Sequence, residues 1–410
     1  MNLLKILKRL LVAVAGPMGV SVAHMGVALV LLSGVPAAEF GKYAFLQVII
    51  AFGYGLLGAL LISPVMVMLN REAKSQLGLL SSYLGASVVL CAAAGLLMVL
   101  VGCLLGNSWY TALWFGMAAT LLWWRWFARG LLLAQHRKAT VLISDAAYTL
   151  SLVGLTALAW SLDWLGTTEF LLLQCVAGFV GLVLLEPRFW QAQWAARDFT
   201  WAPFVDGFRR HARHSLVGVV TTEATANSQA YFITALLGPA AFAPVAAANL
   251  IFRPSSMVNL ALTQAERPVL GQALQLRQPS KAQEILRFMA LAMTATMLGN
   301  IVLAGLIVGW GAGYILHEPL PPGVLALATI LIGIKVAISC IRAQSSLLLQ
   351  ADGQFKPLAE ATVISSIITL PLVGLGAWLG GVTWALIGAL AGEVIATALT
   401  VWYARKKVSL

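Results

Sequence analysis

The stretch LGLLSSYLGASVVLCAAAGLLMVLVGCLL, Leu77–Leu105, contains no Asp, Glu, Lys, Arg or His. An α-helix rises 1.5 Å per residue, so an unbroken apolar run of this length crosses a hydrocarbon core of about 30 Å. A helix packed at the surface of a soluble protein keeps one polar face. This run is apolar on all sides, which makes lipid its solvent. Working outward, similar runs lie at Leu10–Leu32, Tyr43–Leu69, Thr111–Leu133, Val141–Leu162 and Phe170–Leu185. A second set lies at Ser215–Leu237, Phe242–Leu262, Ile285–Trp310, Val324–Leu349, Leu358–Leu379 and Val382–Tyr403. The expected fold is therefore an all-α polytopic membrane protein of about twelve transmembrane helices.

Composition agrees. The 410 residues are 60% hydrophobic and 10% charged, against about 25% charged in a typical soluble domain. The net charge of +11 would point to nucleic acid if the basic residues formed one patch. They fall instead in short clusters between apolar runs, as in the cytoplasmic loops of bilayer proteins. No nucleic-acid partner is expected.

The positions of the cations set the orientation. All 26 Lys and Arg residues but Lys42, Arg253 and Lys335 fall in one alternating set of loops and ends. That set runs from Lys5, Lys8 and Arg9 through Arg71 and Lys74 to Arg405, Lys406 and Lys407. A missed helix would invert the alternation downstream, and it never inverts. Both ends are thus predicted on the cytoplasmic side. Reporter fusions after Arg71, Arg137, Glu186, Gln278 and Lys407 should report cytoplasm, and fusions near Lys42, Asp163 and Glu318 the outside. One swapped site would overturn the assignment beyond it. The run after Arg9 includes Ala13-Val14-Ala15 but continues to Leu32, so it reads as a retained first helix rather than a signal peptide.

The outer loops are short, and the longest polar segment is Glu186–His214. Its Trp190, Trp194 and Trp201 among Arg197, Arg209 and Arg210 suit an interfacial amphipathic helix. It divides the chain into a six-helix lobe at 1–186, a cytoplasmic linker at 187–213 and a second six-helix lobe at 214–410. The lobes show internal similarity. Phe40 at the start of the second helix coincides with Phe242 at the start of the eighth, and the amide Gln47 falls opposite Asn249. Two parallel repeats place a substrate path at their interface.

An ionisable group at membrane depth costs at least about 2.5–3.5 kcal/mol unless paired or hydrated. His24, Glu223, Arg253, Lys335 and Glu393 sit near the middle of their runs, and Glu393 is solitary on its helix. Asp145, Arg125, Arg129, Arg342 and Glu360 lie nearer the cytoplasmic face, where long side chains snorkel. Glu223 and Arg253 lie at comparable depth. They read either as one structural ion pair or as part of a hydrated cavity with fixed cations. Thr221, Thr222, Thr225, Asn227, Ser228 and Gln229 surround Glu223 and would be costly facing acyl chains.

Some chemistry is absent. The sequence has no P-loop, no H-E-x-x-H and no G-x-S-x-G with triad partners, so no enzyme activity is expected. Cys91, Cys103, Cys175 and Cys340 form no metal or disulfide pattern, and neither metal nor cofactor is expected.

Several short motifs carry a family resemblance. They are Glu39-Phe40-Gly41-Lys42-Tyr43-Ala44, Gly238-Pro239-Ala240-Ala241-Phe242, Ala265-Glu266-Arg267-Pro268-Val269-Leu270 and Leu349-Gln350-Ala351-Asp352-Gly353. With them the chain resembles the polysaccharide-exporter, Wzx-like branch of the multidrug/oligosaccharidyl-lipid/polysaccharide exporter (MOP) superfamily. The resemblance implies two six-helix lobes around a central cavity in the inner cell membrane. It also implies flipping of polyprenyl-diphosphate-linked oligosaccharide for surface polysaccharide. Cavity cations would engage the diphosphate and sugar acids. By location the candidates are Arg253 and Lys335, joined by Arg342, Arg129 and His24. Glu223 and Glu393 are the candidate carboxylates for proton or sodium coupling. Polysaccharide polymerase or assembly proteins are the expected partners. The rival readings are a drug or small-molecule antiporter of the same superfamily, and a non-transporting subunit or enzyme of a polysaccharide assembly complex.

Overall fold

Backbone amides that cannot reach water must be satisfied within their own segment, so apolar runs of this length fold as helices. In the computed structural model, which describes residues 3–66, 76–135, 137–311 and 322–407, 93% of the described residues are helical. No strand occurs among the described residues. Arg71, Lys74 and Glu318 lie outside them.

As far as those residues reach, a helix covers each of the twelve predicted stretches. The first six are α1 (Leu3–Gly34), α2 (Ala37–Leu57), α3 (Gln76–Leu104), α4 (Trp109–Ala134), α5 (Lys138–Ser161) and α6 (Thr167–Val183). Two short helices follow, α7 (Pro187–Ala195) and α8 (Ala202–Gly207). Then come α9 (Arg213–Ala226), α10 (Ser228–Leu237), α11 (Pro239–Gln275), α12 (Pro279–Leu306), α13 (Pro322–Ala351) and α14 (Phe355–Lys407). Among the described residues, 7 helices are long and apolar enough to cross a membrane, or 8 if the bent α6–α7 pair is one span. Local departures explain the smaller number. The apolarity of α4 is diluted by tryptophans and two arginines, and that of α11 by polar side chains. The segment read as Ser215–Leu237 breaks at Asn227 into α9 and α10. The last two predicted stretches form one continuous element, α14, kinked at Gly381. Gly381 has φ 71° and ψ −154°, a conformation essentially reserved for glycine.

The chain divides into two compact units, with boundaries that differ from the lobes read in sequence. The first comprises Met1–Leu31 and Leu46–Val220, the second Leu32–Phe45 and Thr221–Leu410. In the first unit, Phe115, Phe127, Tyr148 and Phe170 are fully buried, and the Trp123 indole donates to the Ile50 carbonyl at 2.9 Å. The stretch at 187–213 belongs to this unit and folds onto α3. Ser82 Oγ donates to the Thr200 carbonyl at 2.8 Å and accepts from the Phe204 amide at 3.2 Å. Gln193 donates to the Leu84 carbonyl at 3.1 Å. These contacts satisfy irregular backbone that would be left open in a free linker.

In the second unit, α13 packs on α11 and α14. Gly41 lies so close to the Pro239 carbonyl that a Cβ there would overlap it. Phe45 meets Phe242 edge-to-face, ring centroids 6.4 Å apart. The two stretches that sequence reads as repeat equivalents thus pack on one another. Lys42, the single outer-loop cation of the sequence reading, pairs with Glu39 at 2.8 Å. Leu96, Leu104, Leu291 and Leu379 are each at least 71% exposed, as a lipid-facing surface requires. The protein is a multi-pass membrane protein.

Candidate functional site

The first unit holds its charges around one carboxylate. Arg125 and Arg129 are four residues apart on α4, so they share a helix face. Asp145 on α5 is 1% exposed and accepts from both, from Arg125 Nη2 at 2.5 Å and from Arg129 Nε at 3.1 Å. Arg125 also donates to the Ser144 carbonyl at 3.3 Å and lies 4.4 Å from the Tyr148 ring centroid. Tyr148 Oη and His24 Nε2 share a hydrogen bond of 2.8 Å, and the two rings stack. Gly16 on α1 leaves the space that the Asp145 carboxylate occupies. His24 therefore joins an aromatic and ionic network rather than standing alone. The cationic charge of Arg129 is committed to Asp145. Snorkelling to water is the wrong description of Arg125 and Asp145, because both are buried.

In the second unit, Arg342 Nε donates to Glu393 Oε1 at 2.7 Å. This corrects the reading of Glu393 as solitary, and it leaves Arg342 as half of an ion pair. Gly388 and Gly392 on α14 let its two halves pack closely, against Leu372 and Thr369. The ion pair between Glu223 and Arg253 is not formed. Glu223 instead accepts from Asn227 Nδ2 one turn along its own helix, at 3.1 Å. Among the described residues no carboxylate pairs with Arg253 and no Lys or Arg with Glu223. Arg253 is half-buried, about four turns into α11. Lys335 Nζ donates to the Ala226 carbonyl and to Gln229 Oε1, each at 3.0 Å. Glu360, placed near the cytoplasmic face by sequence, accepts from Tyr403 Oη at 2.9 Å.

Sequence reasoning missed Tyr148, saw Gln229 only as one of the polar residues around Glu223, and gave Asp145 too small a part. The i, i+4 spacing of Arg125 and Arg129 was the available signal for a shared counter-charge. Among the described residues, no three His, Cys, Asp or Glu side chains group to hold a metal ion.

This arrangement of helices is a known one. The chain has the fold of MATE-type transporters, and so the fold found in the MOP superfamily. It is similar to an inward-facing multidrug resistance MATE family transporter of the MOP superfamily, with a TM-score of 0.67 and 12% identity over 95% of this chain and 94% of that one. It is similar to a mutant of the Vibrio cholerae MATE transporter VcmN, with a TM-score of 0.64 and 17% identity over 98% and 97% of the two chains. The eukaryotic MATE transporter AtDTX14 matches with a TM-score of 0.65 and 16% identity, over 98% of both chains. No family model matches the sequence, and no curated protein does.

Proposed function

We propose that the chain is a non-enzymatic, secondary transporter of the MOP superfamily. Its substrate on this reading is a lipid with an anionic head, of the polyprenyl-diphosphate-linked oligosaccharide kind, moved across the cytoplasmic membrane. The fold supports the transporter class. Arg253 carries the substrate class: it is a half-buried guanidinium with no carboxylate partner among the described residues. Such a cation is costly at membrane depth, and a diphosphate offers it the bidentate contact that guanidinium geometry favours. Glycan polymerase or assembly proteins are the partners this reading proposes.

A second reading, an exporter of organic cations, has two supports. The solved structures of like fold are multidrug and other MATE transporters. Glu223 also keeps a carboxylate that no Lys or Arg neutralises among the described residues. The deciding experiment uses the purified protein in proteoliposomes, offered either a lipid-linked oligosaccharide diphosphate or a fluorescent organic cation, under proton and sodium gradients. Movement of the lipid alone supports the first reading, and efflux of the cation alone overturns it in favour of the second.

Coupling is tested in the same vesicles. Glu223→Gln should leave the protein inserted and flatten the dependence of transport on the proton or sodium gradient. Glu393→Gln should weaken the hold on Arg342 and change that dependence less. Unaltered gradient dependence in both variants would remove both carboxylates from coupling.

A further inference from the structure

Helix α9 ends at Ala226, and α10 begins at Ser228. Asn227 between them has φ −108° and ψ 11°, outside helical values. A helix break leaves carbonyl oxygens without amide partners, and the C-terminal end of a half-helix carries partial negative charge. Here Ala226 is exposed, while Ser228 and Gln229 just beyond it are buried. In a low-dielectric setting such an end needs a donor or a cation. The Ala226 carbonyl receives one weak local donor, the Gln229 side-chain amide at 3.2 Å. Its other partner is the ammonium of Lys335, which arrives from α13 and lies 3.0 Å from both Ala226 O and Gln229 Oε1.

We propose that these two oxygens form a monovalent-cation site, and that the chain fills it with its own ammonium. Lys335 is then a tethered counter-ion that holds the α9–α10 break, rather than a ligand for substrate. Three observations converge on this. Both contacts of Nζ are to neutral oxygens, the donor set that suits a monovalent cation. One of those oxygens belongs to the broken helix end itself. The charged groups acting on Lys335, Glu393 and Arg342, already pair with each other, so no carboxylate is reserved for the lysine. The inference is independent of which substrate the protein carries, and its test involves no transport.

The test compares Lys335→Ala with Lys335→Met as purified protein in detergent, following thermal unfolding against added cations. The alanine variant opens a space lined by the two oxygens. Its Tm should fall by several degrees, then recover in a saturable way with ammonium, ethylammonium or potassium chloride, and not with choline chloride. The methionine variant fills the space without a charge, so its Tm should fall and stay low in every salt. A Lys335→Ala protein that no small cation restores, or one restored equally by choline, overturns the proposal. So does a Lys335→Met protein as stable as the parent. If Lys335→Ala does not fold, Gln229→Ala gives the second reading. It removes one of the two oxygens but keeps the lysine, so its Tm should drop and ammonium should not restore it. An unchanged Gln229→Ala protein also overturns the site.

Discussion

Asp145→Ala should lower the stability of the purified protein by about 3–5 kcal/mol, the usual effect of leaving a buried charge without its partner. Asp145 is almost wholly enclosed and is the shared acceptor of Arg125 and Arg129. Removing it strands two guanidinium groups of like sign on one face of α4. Arg125 is hit harder, being 6% exposed and already holding a buried Nε without a partner. Arg129, at 15% side-chain exposure, can turn toward water. Arg129→Met should therefore cost much less than Arg125→Met. Asp145→Asn should fall between parent and alanine, because an amide oxygen still accepts while the charge is gone. Thermal unfolding in detergent, with yield after membrane extraction, reads all four variants. An Asp145→Ala protein that melts with the parent would mean the arginines reach water and the network is not a structural centre.

Arg253→Ala should leave folding and insertion intact while reducing transport of an anionic lipid substrate roughly 10–100-fold. That range corresponds to the loss of a hydrogen bond to a charged group, about 1.5–3 kcal/mol. Arg253→Lys should recover part of the loss, because a point charge remains while the planar fork is gone. Since Glu223 is not the partner of Arg253, the double variant Arg253→Ala, Glu223→Ala should stay as inactive as the single one. Restored transport in the double variant would instead make Arg253 a mere counter-charge. Complementation of surface glycan in a flippase-deficient strain reports the same outcomes in cells.

Much of the fold was legible because a bilayer imposes a one-dimensional code. A run such as Leu77–Leu105 has a single low-energy structure in lipid, and its length sets the span. The same economy marks an ionisable residue within such a run as a position of interest, which is how His24, Glu223, Arg253, Lys335 and Glu393 stood out. Pairing was not legible in that way. Asp145 and Glu360 looked like residues near a membrane face, yet one is the buried centre of a two-arginine cluster and the other holds a tyrosine hydroxyl. Which cation meets which carboxylate depends on helix rotation and crossing, and these follow from side-chain packing rather than hydropathy.

The amino-acid sequence by itself determined that the chain is a helical membrane protein, where its apolar segments lie, and which few side chains bear charge inside them. Only the tertiary structure decided how those charges are spent. It gave Glu393 to Arg342 and Glu223 to its helical neighbour Asn227, left Arg253 without a carboxylate among the described residues, and set Lys335 against a broken helix end. It also drew the start of α2 into the second unit, because Gly41 admits the Pro239 carbonyl at a distance no side chain would allow. Hydrophobicity is a property of each residue and sums along the chain. Ion pairing and close backbone contact are properties of two residues far apart in sequence, so they exist only once the helices have packed.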